Sequence, residues 1–297
     1  MSDTLQRFLF ENASIRGELV QLDASWQAAL ERHEYPEAVR TPLGEMMVAG
    51  VLLTATMKFE GSITLQVRGN GPISMLVVDC APIRTKGEDG AVYHIRGMAL
   101  WSGDVPQENL RGRFGDGNLV ITIDPGRGAQ RYQGVVALTG SSLADAIDDY
   151  LDRSEQLPTR MWLSCDSDRA AGLLLQKLPQ ESEDNDAWNR VVTLADTVSN
   201  DELLQLEQQE VIRRLFHEED IRLFDREPIA FHCHCSRERV AESLRSLGHD
   251  EVEDILNSEG RIEVSCHFCN KLYRFDTVDA EQLFIKQPQP PGGQTRH

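Results

Sequence analysis

Four of the six cysteines stand in one C-terminal stretch, as Cys233-x-Cys235 and, after 30 intervening residues, Cys266-x-x-Cys269. Two close thiol pairs, far apart from each other in sequence, are the ligand pattern of a two-knuckle zinc site. Zn2+ takes four soft or borderline ligands in a tetrahedron, and each pair can supply two adjacent corners. A knuckle needs a residue tolerant of positive φ just after its second thiol, and Asn270 stands there. His232, His234 and His267 are interleaved with the cysteines. The residues alone therefore leave three readings open: one Zn2+ per chain on four thiolates, a histidine in place of one thiolate, or no metal. The same sulfurs are the atoms that oxidants attack. A Cys-x-x-Cys pair closes a disulfide readily, whereas a Cys-x-Cys pair closes a smaller, strained ring. Spacing thus predicts that Cys266–Cys269 bridges before Cys233–Cys235.

The elements that must position these thiols lie in residues 228–286. Residues 231–235 read as extended, and Ser236 caps a helix to about Leu247. Another helical turn or two follows over 250–256. Strands at Ile262–Ser265 and Leu272–Phe275 flank the second thiol pair, and Thr277 caps a last short helix. A segment of roughly 60 residues has a thin core. Structural zinc supplies on the order of 10–16 kcal/mol of apparent folding free energy, against a typical domain stability of about 5–15 kcal/mol. Loss of the metal is expected to unfold this segment. The Pro-, Gly- and Gln-rich tail 287–297 is expected to be disordered.

Residues 179–227 form an acidic linker. Between Glu181 and Asp225 there are 13 Asp/Glu against 4 Arg. Three short helical patterns carry apolar stripes: Trp188, Val191, Val192, Ala195 and Val198; then Leu203, Leu204 and Leu206 behind a Ser199–Glu202 capping box; then Val211, Ile212, Leu215 and Phe216. Helices this short are marginal alone and depend on docking. If the zinc segment unfolds, they are expected to melt together, exposing Trp188, Leu203, Leu204, Leu215 and Phe216 or the surface these cover.

Residues 1–178 read as an α+β domain with a mixed sheet. Ser25 caps a short helix to about His33, and 37–58 forms a long buried helix. A hairpin turns at Gly69-Asn70-Gly71, and further strands follow to about 176. Cys80 and Cys165 lie in strand-like runs and read as small buried hydrophobes. Asp145, Asp148, Asp149 and Asp152 read as one solvated helix face. No catalytic constellation stands out: neither Gly69-x-Gly71 nor the stretch from Gly112 to Gly117 carries the rest of a phosphate loop. The expectation is a protein that is not an enzyme.

A length of 297 residues suits about two domains. The net charge of −18 disfavours nucleic acid and anionic membrane as partners. Asp3 and Glu11 stand where a secretory leader needs basic and apolar residues, so a cytoplasmic protein with reduced thiols is expected.

Several motifs carry a family resemblance across nearly the whole chain. Phe231-x-Cys233-x-Cys235-Ser236-Arg237-Glu238-Arg239, with Cys266-x-x-Cys269 downstream, resembles the redox-regulated 33 kDa chaperone family, a heat-shock protein family. Arg7-x-Leu9-Phe10-Glu11-Asn12, Arg16-Gly17-Glu18-Leu19, Leu53-Thr54-Ala55-Thr56 before Lys58-Phe59, Asp149-Tyr150 with Arg153 to Arg160, and Leu215-x-His217-Glu218-Glu219 are similar to its other motifs. Asn270 departs from the Gly expected there, and the loop 166–171 is shorter than usual. The resemblance implies an ATP-independent holdase for unfolding client proteins, inactive when reduced and zinc-bound. Oxidation would form Cys233–Cys235 and Cys266–Cys269, release zinc, unfold the C-terminal regions and give a homodimer, with residues 1–178 as core and dimerisation domain. The competing reading is a zinc-ribbon nucleic-acid or ribosome-binding protein. Residues 228–297 hold 11 Asp/Glu against 8 Lys/Arg, the wrong sign for a phosphate binder.

Overall fold

In a computed structural model of the chain, the described residues are 3–284 without 58–60, 85–89, 108, 127–129, 139, 155–156, 180–183 and 185. Expectations resting on Lys58-Phe59, Gly128, Glu155-Gln156, Glu181 to Glu183 and the tail fall outside them. The chain separates into two compact units, Met1–His232 and Cys233–His297.

Alternating residues build the first unit's sheet. Strands β1 (Thr4–Phe10) and β2 (Ile15–Leu22) pair antiparallel. Leu5, Val20 and Leu22 face one core, while Phe8, Phe10, Ile15 and Leu19 face another. Helix α1 (Ala24–Leu30) follows. Ser25 is not its cap but a buried residue of its first turn. The cap comes from Asp3, whose carboxylate accepts the N–H groups of Asp23, Ala24 and Ser25 at 2.6, 2.9 and 2.5 Å. A carboxylate from a distant strand end does here what a local side chain ordinarily does. Helix α2 (Glu37–Thr56) is buried along most of its length, with Val39, Leu43, Met46, Met47, Val51 and Leu52 in the first core.

Strands β3 (Ser62–Arg68) and β4 (Ile73–Ile83) form the expected hairpin, continued by β5 (Val92–Trp101). The glycines at its turn are required by crowding. A Cβ on Gly69 would lie 2.2 Å from the Phe114 carbonyl oxygen, and one on Gly71 2.6 Å from the Gly115 nitrogen. Those two neighbours close α3 (Leu110–Phe114), a helix that sequence patterning misses. Strands β6 (Asn118–Asp124) and β7 (Tyr132–Ala137), helix α4 (Leu143–Ser154), and strands β8 (Thr159–Cys165) and β9 (Ala170–Lys177) complete the series.

Three short helices, α5 (Ala187–Ala195), α6 (Asn200–Gln205) and α7 (Gln208–Phe216), precede strands β10 (Ile221–Leu223) and β11 (Glu227–Phe231). The sheet runs β7-β6-β3-β4-β5-β11-β1-β2-β9-β8, with β10 on β1. Strand β11 lies between β5, to which it is parallel, and β1, to which it is antiparallel.

One carboxylate of α4 departs from the solvated face expected of it. Asp148 is 6% exposed, accepts the Met161 N–H at 3.2 Å and lies 3.8 Å from the Arg160 guanidinium. Its place in the helix turns it toward β8. Burial pushes its carboxyl up to about 7, against the pull of Met161 and Arg160. A carboxyl raised in the folded state contributes stability below its ordinary value of about 3.9 and loses that contribution as pH rises through the folded value. Asp148→Asn is therefore expected to flatten the stability profile between about pH 4 and about pH 7. Above that range it is expected to exceed the parent by on the order of 4 kcal/mol. Thermal unfolding across that range checks this, and parallel curves for the two proteins would exclude it.

In the second unit, α8 (Arg237–Leu247), α9 (His249–Glu259), the hairpin β12 (Ile262–Ser265) with β13 (Leu272–Phe275), and α10 (Thr277–Phe284) surround a small core. Its buried members are Ala241, Leu244, Val252, Ile262, Tyr273, Phe275 and Ala280. Ser236 caps α8 through the Arg239 N–H, as expected. Thr277 does not cap α10. Asp276 and Asp279 each accept the other's N–H, at 3.2 and 2.8 Å, so the cap lies one residue earlier.

Candidate four-cysteine metal centre

The β12–β13 turn delivers one thiol pair and the segment before α8 the other. Cys233 Sγ lies 3.7 Å from Cys266 Sγ, and Cys235 Sγ lies 3.3 Å from Cys269 Sγ. All four sulfurs lie within 4.8 Å of one another. A tetrahedral zinc with Zn–S bonds of about 2.3 Å needs sulfur–sulfur edges of about 3.8 Å, so the donor set fits the ion. No histidine belongs to this group among the described residues; the His232 ring stacks on His94 at 4.4 Å in the first unit.

The turn has the geometry that the spacing predicts. Asn270 takes φ +54°, its N–H donates to the Cys266 carbonyl at 2.7 Å, and the Cys266 N–H donates to the Lys271 carbonyl at 3.0 Å. Against the push of burial, the backbone of Phe268 and Cys269 draws the Cys266 thiol down, and that of Lys271 the Cys269 thiol. Cys235 takes a donor from a side chain, the Tyr273 hydroxyl at 3.1 Å. Burial raises the thiols of Cys266 and Cys269, the latter to about 12. At Cys235 burial is outweighed by Tyr273 and the neighbouring sulfurs, which bring that thiol down to about 7. Four sulfurs this close ionise together only beside a cation.

In the sequence Arg237 and Arg239 stand out only as letters of the motif, and Tyr273 only as one residue of a strand. Arg239 donates to the His234 carbonyl at 2.8 Å. Arg237 donates to the Arg274 carbonyl at 2.6 Å, pairs with Asp279 at 2.7 Å and covers the Phe275 ring at 4.2 Å. The signal that singles them out is their position directly behind the first thiol pair.

Cys80 is buried and its thiol is pushed up to about 12 by burial; Cys165 is half-buried and likewise raised. Neither joins the cluster.

The linker residues lie on the first unit's sheet. Leu203, Leu204, Leu215 and Phe216 are buried, and Trp188 is half-buried against the same cluster. Their partners are Phe8, Phe10, Ile15, Leu19, Leu173 and Leu175. The Phe216 ring meets Phe10 edge-on at 5.1 Å and Phe8 at 6.0 Å. Phe8 reaches this position because it lies over Gly17, where a Cβ would fall 2.1 Å from its ring. Gln208, a polar residue inside an apolar pattern, donates to the carbonyls of Thr4 and Leu19 at 2.8 and 3.1 Å. Gln21 donates to the carbonyls of Leu203 and Leu206 at 2.9 and 2.7 Å.

Fold and site together define an α+β protein with a covered sheet face and a separate C-terminal four-cysteine centre. Comparison with known proteins gives the family. The model of the family described as "Hsp33 protein" matches residues 3–276. The "33 kDa chaperonin" of Methylobacillus flagellatus is 48% identical over 300 residues, covering 100% of this chain and 99% of that protein. The protein of the same name from Nitrosococcus oceani is 48% identical, with 99% of each chain covered. A crystal structure of the Thermotoga maritima 33 kDa chaperonin has the same fold, with a TM-score of 0.76 at 23% identity over 94% of this chain and 97% of that one. The chain belongs to the Hsp33 family of chaperones. Among the described residues, no helix is long and apolar enough to cross a membrane.

Proposed function

We propose that this protein is a thiol-controlled, ATP-independent holdase. The observation that carries the reading is the apolar face of β1, β2 and β9, covered by the three short helices of the acidic linker. An apolar surface of this kind binds the exposed apolar segments of unfolding proteins once uncovered. Bound Zn2+ on Cys233, Cys235, Cys266 and Cys269 would supply a cross-link between the β12–β13 turn and the segment before α8. Reduced and zinc-loaded, the small unit stays folded and the linker docked. Peroxide converts four thiolates into two disulfides, Cys266–Cys269 and Cys233–Cys235. Four electrons leave the sulfurs and two equivalents of peroxide become water. The sulfurs then no longer hold the ion, the small unit and the linker unfold, and the protein dimerises around residues 1–178. The setting is the cytoplasm, with neither nucleic acid nor membrane as partner.

The test treats reduced, zinc-loaded protein with peroxide at a mildly unfolding temperature. Zinc release and suppression of the aggregation of a heat-labile client are followed together. Zinc retained, or no gain in suppression after full oxidation, would sink the reading. A second expectation concerns order: partly oxidised protein should contain Cys266–Cys269 before Cys233–Cys235. Peptide mapping that finds the reverse order would show that ring strain does not set the sequence of events.

A further inference from the structure

We propose that the Tyr273 hydroxyl is a brake on oxidation of the Cys233–Cys235 pair, a positioning group whose hydrogen bond quiets the Cys235 sulfur. The inference rests on the thiol-switch reading above and deepens it. Tyr273 sits on β13 opposite Val264 of β12 and is 5% exposed, with its hydroxyl 3.1 Å from Cys235 Sγ. Its ring belongs to the small core, and the Lys271 ammonium lies 5.3 Å from the ring centre. The neighbours Leu272 and Arg274 point outward by strand alternation. The hydroxyl is therefore held at the sulfur by the fold.

The donor to Cys235 is a side-chain hydroxyl, so evolution or mutation can tune it without disturbing the turn. Oxidation of this pair begins when a thiolate attacks peroxide. An S–O bond forms, the O–O bond breaks, and hydroxide leaves and takes up a proton. Attack of the Cys233 thiolate on the Cys235 sulfenic sulfur then forms the S–S bond and expels the second oxygen as hydroxide; the pair gives up two electrons to one peroxide. In the zinc-loaded protein Cys235 would already be a thiolate, so the Tyr273 hydroxyl adds no nucleophile; its hydrogen bond withdraws density from the attacking sulfur and slows the first step.

The experiment compares full-length reduced, zinc-loaded wild type with Tyr273→Phe, which keeps the ring and removes the hydroxyl. Zinc content and far-UV spectra are matched at the start. After peroxide, differential alkylation and peptide mass spectrometry give a separate rate for each pair. Cys233–Cys235 is expected to oxidise about threefold faster or more in the variant, with the initial rate of Cys266–Cys269 unchanged. Equal rates in both proteins, a slower first pair, or equal acceleration of both pairs would overturn the proposal, the last because it marks a purely structural hydroxyl. If the variant does not take up metal, 113Cd-substituted wild type decides. A slowly exchanging Tyr273 hydroxyl proton coupled to the cadmium through sulfur is expected, and its absence overturns the proposal. Failure of the parent reading shows differently, as wild type that keeps its zinc under peroxide.

Discussion

Removing the metal from reduced protein, by chelation or by Cys266→Ser, is expected to unfold the second unit while the first keeps its sheet. Among the described residues, seven make the buried core of that unit, and two of them are alanines. Full burial of one large apolar side chain contributes only about 1.5–3 kcal/mol. Ordering each residue costs about 1–2 kcal/mol in backbone entropy alone. A core of this size does not offset that cost over α8, α9, the β12–β13 hairpin and α10. The four sulfurs supply the difference, because zinc binding of on the order of 10–16 kcal/mol is itself folding free energy. Amide exchange measures the outcome. The amides of β12 and β13 are expected to lose protection on chelation, while those of β2 and β9 keep theirs. Persistent protection of the hairpin in metal-free, fully reduced protein would refute the claim that sulfur–metal bonds hold this unit.

The second large effect is expected from Phe216→Asp, which should hold an unfolding client with all thiols reduced and zinc bound. Phe216 is 2% exposed and sits against Phe8 and Phe10 at the centre of the linker contact. Loss of a buried phenyl ring costs about 3–5 kcal/mol, and burying a carboxylate there adds a further penalty of several kcal/mol. Helices of 9, 6 and 9 residues have little stability of their own with which to resist. They should therefore undock as a group and leave the sheet face open. Aggregation suppression without oxidant, set beside retained zinc, is the measurement. Gln205→Glu, on the exposed side of α6, serves as control and should behave as wild type. A reduced Phe216→Asp protein without holding activity would show that this face is not where clients are held.

Sequence patterning reached the thiol centre because metal chemistry is written in short spacings. Cys233-x-Cys235, Cys266-x-x-Cys269 and the left-handed Asn270 are all local. The linker stripes were legible for the same reason, since helical period and the Ser199–Glu202 capping box depend on neighbours a few residues apart. What stayed hidden depends on partners distant in sequence. Asp3 caps a helix that begins 21 residues later, Asp148 turns inward against a strand not yet formed when α4 is read, and Gln208 finds its acceptors on β1 and β2. Strand β11 is the clearest case. Residues 227–231 carry a modest apolar pattern and precede the cysteines, so proximity groups them with the zinc segment. Their hydrogen bonds run instead to β5 and β1.

That placement also orders the protein's birth. The strands on the β5 side of the sheet and those on the β1 side are joined through the last strand of this sheet to be translated. A nascent chain on the ribosome holds two incomplete sheets with open edges until residue 231 emerges, and open edges invite pairing with other chains. The Arg7–Glu227 ion pair at 2.8 Å and the Ala91 N–H donated to Glu227 at 3.0 Å are then among the closing stitches. A chain stalled or cut before Glu227 should be far more prone to aggregate than one released a few residues later, although both contain every residue of the first core's long helix.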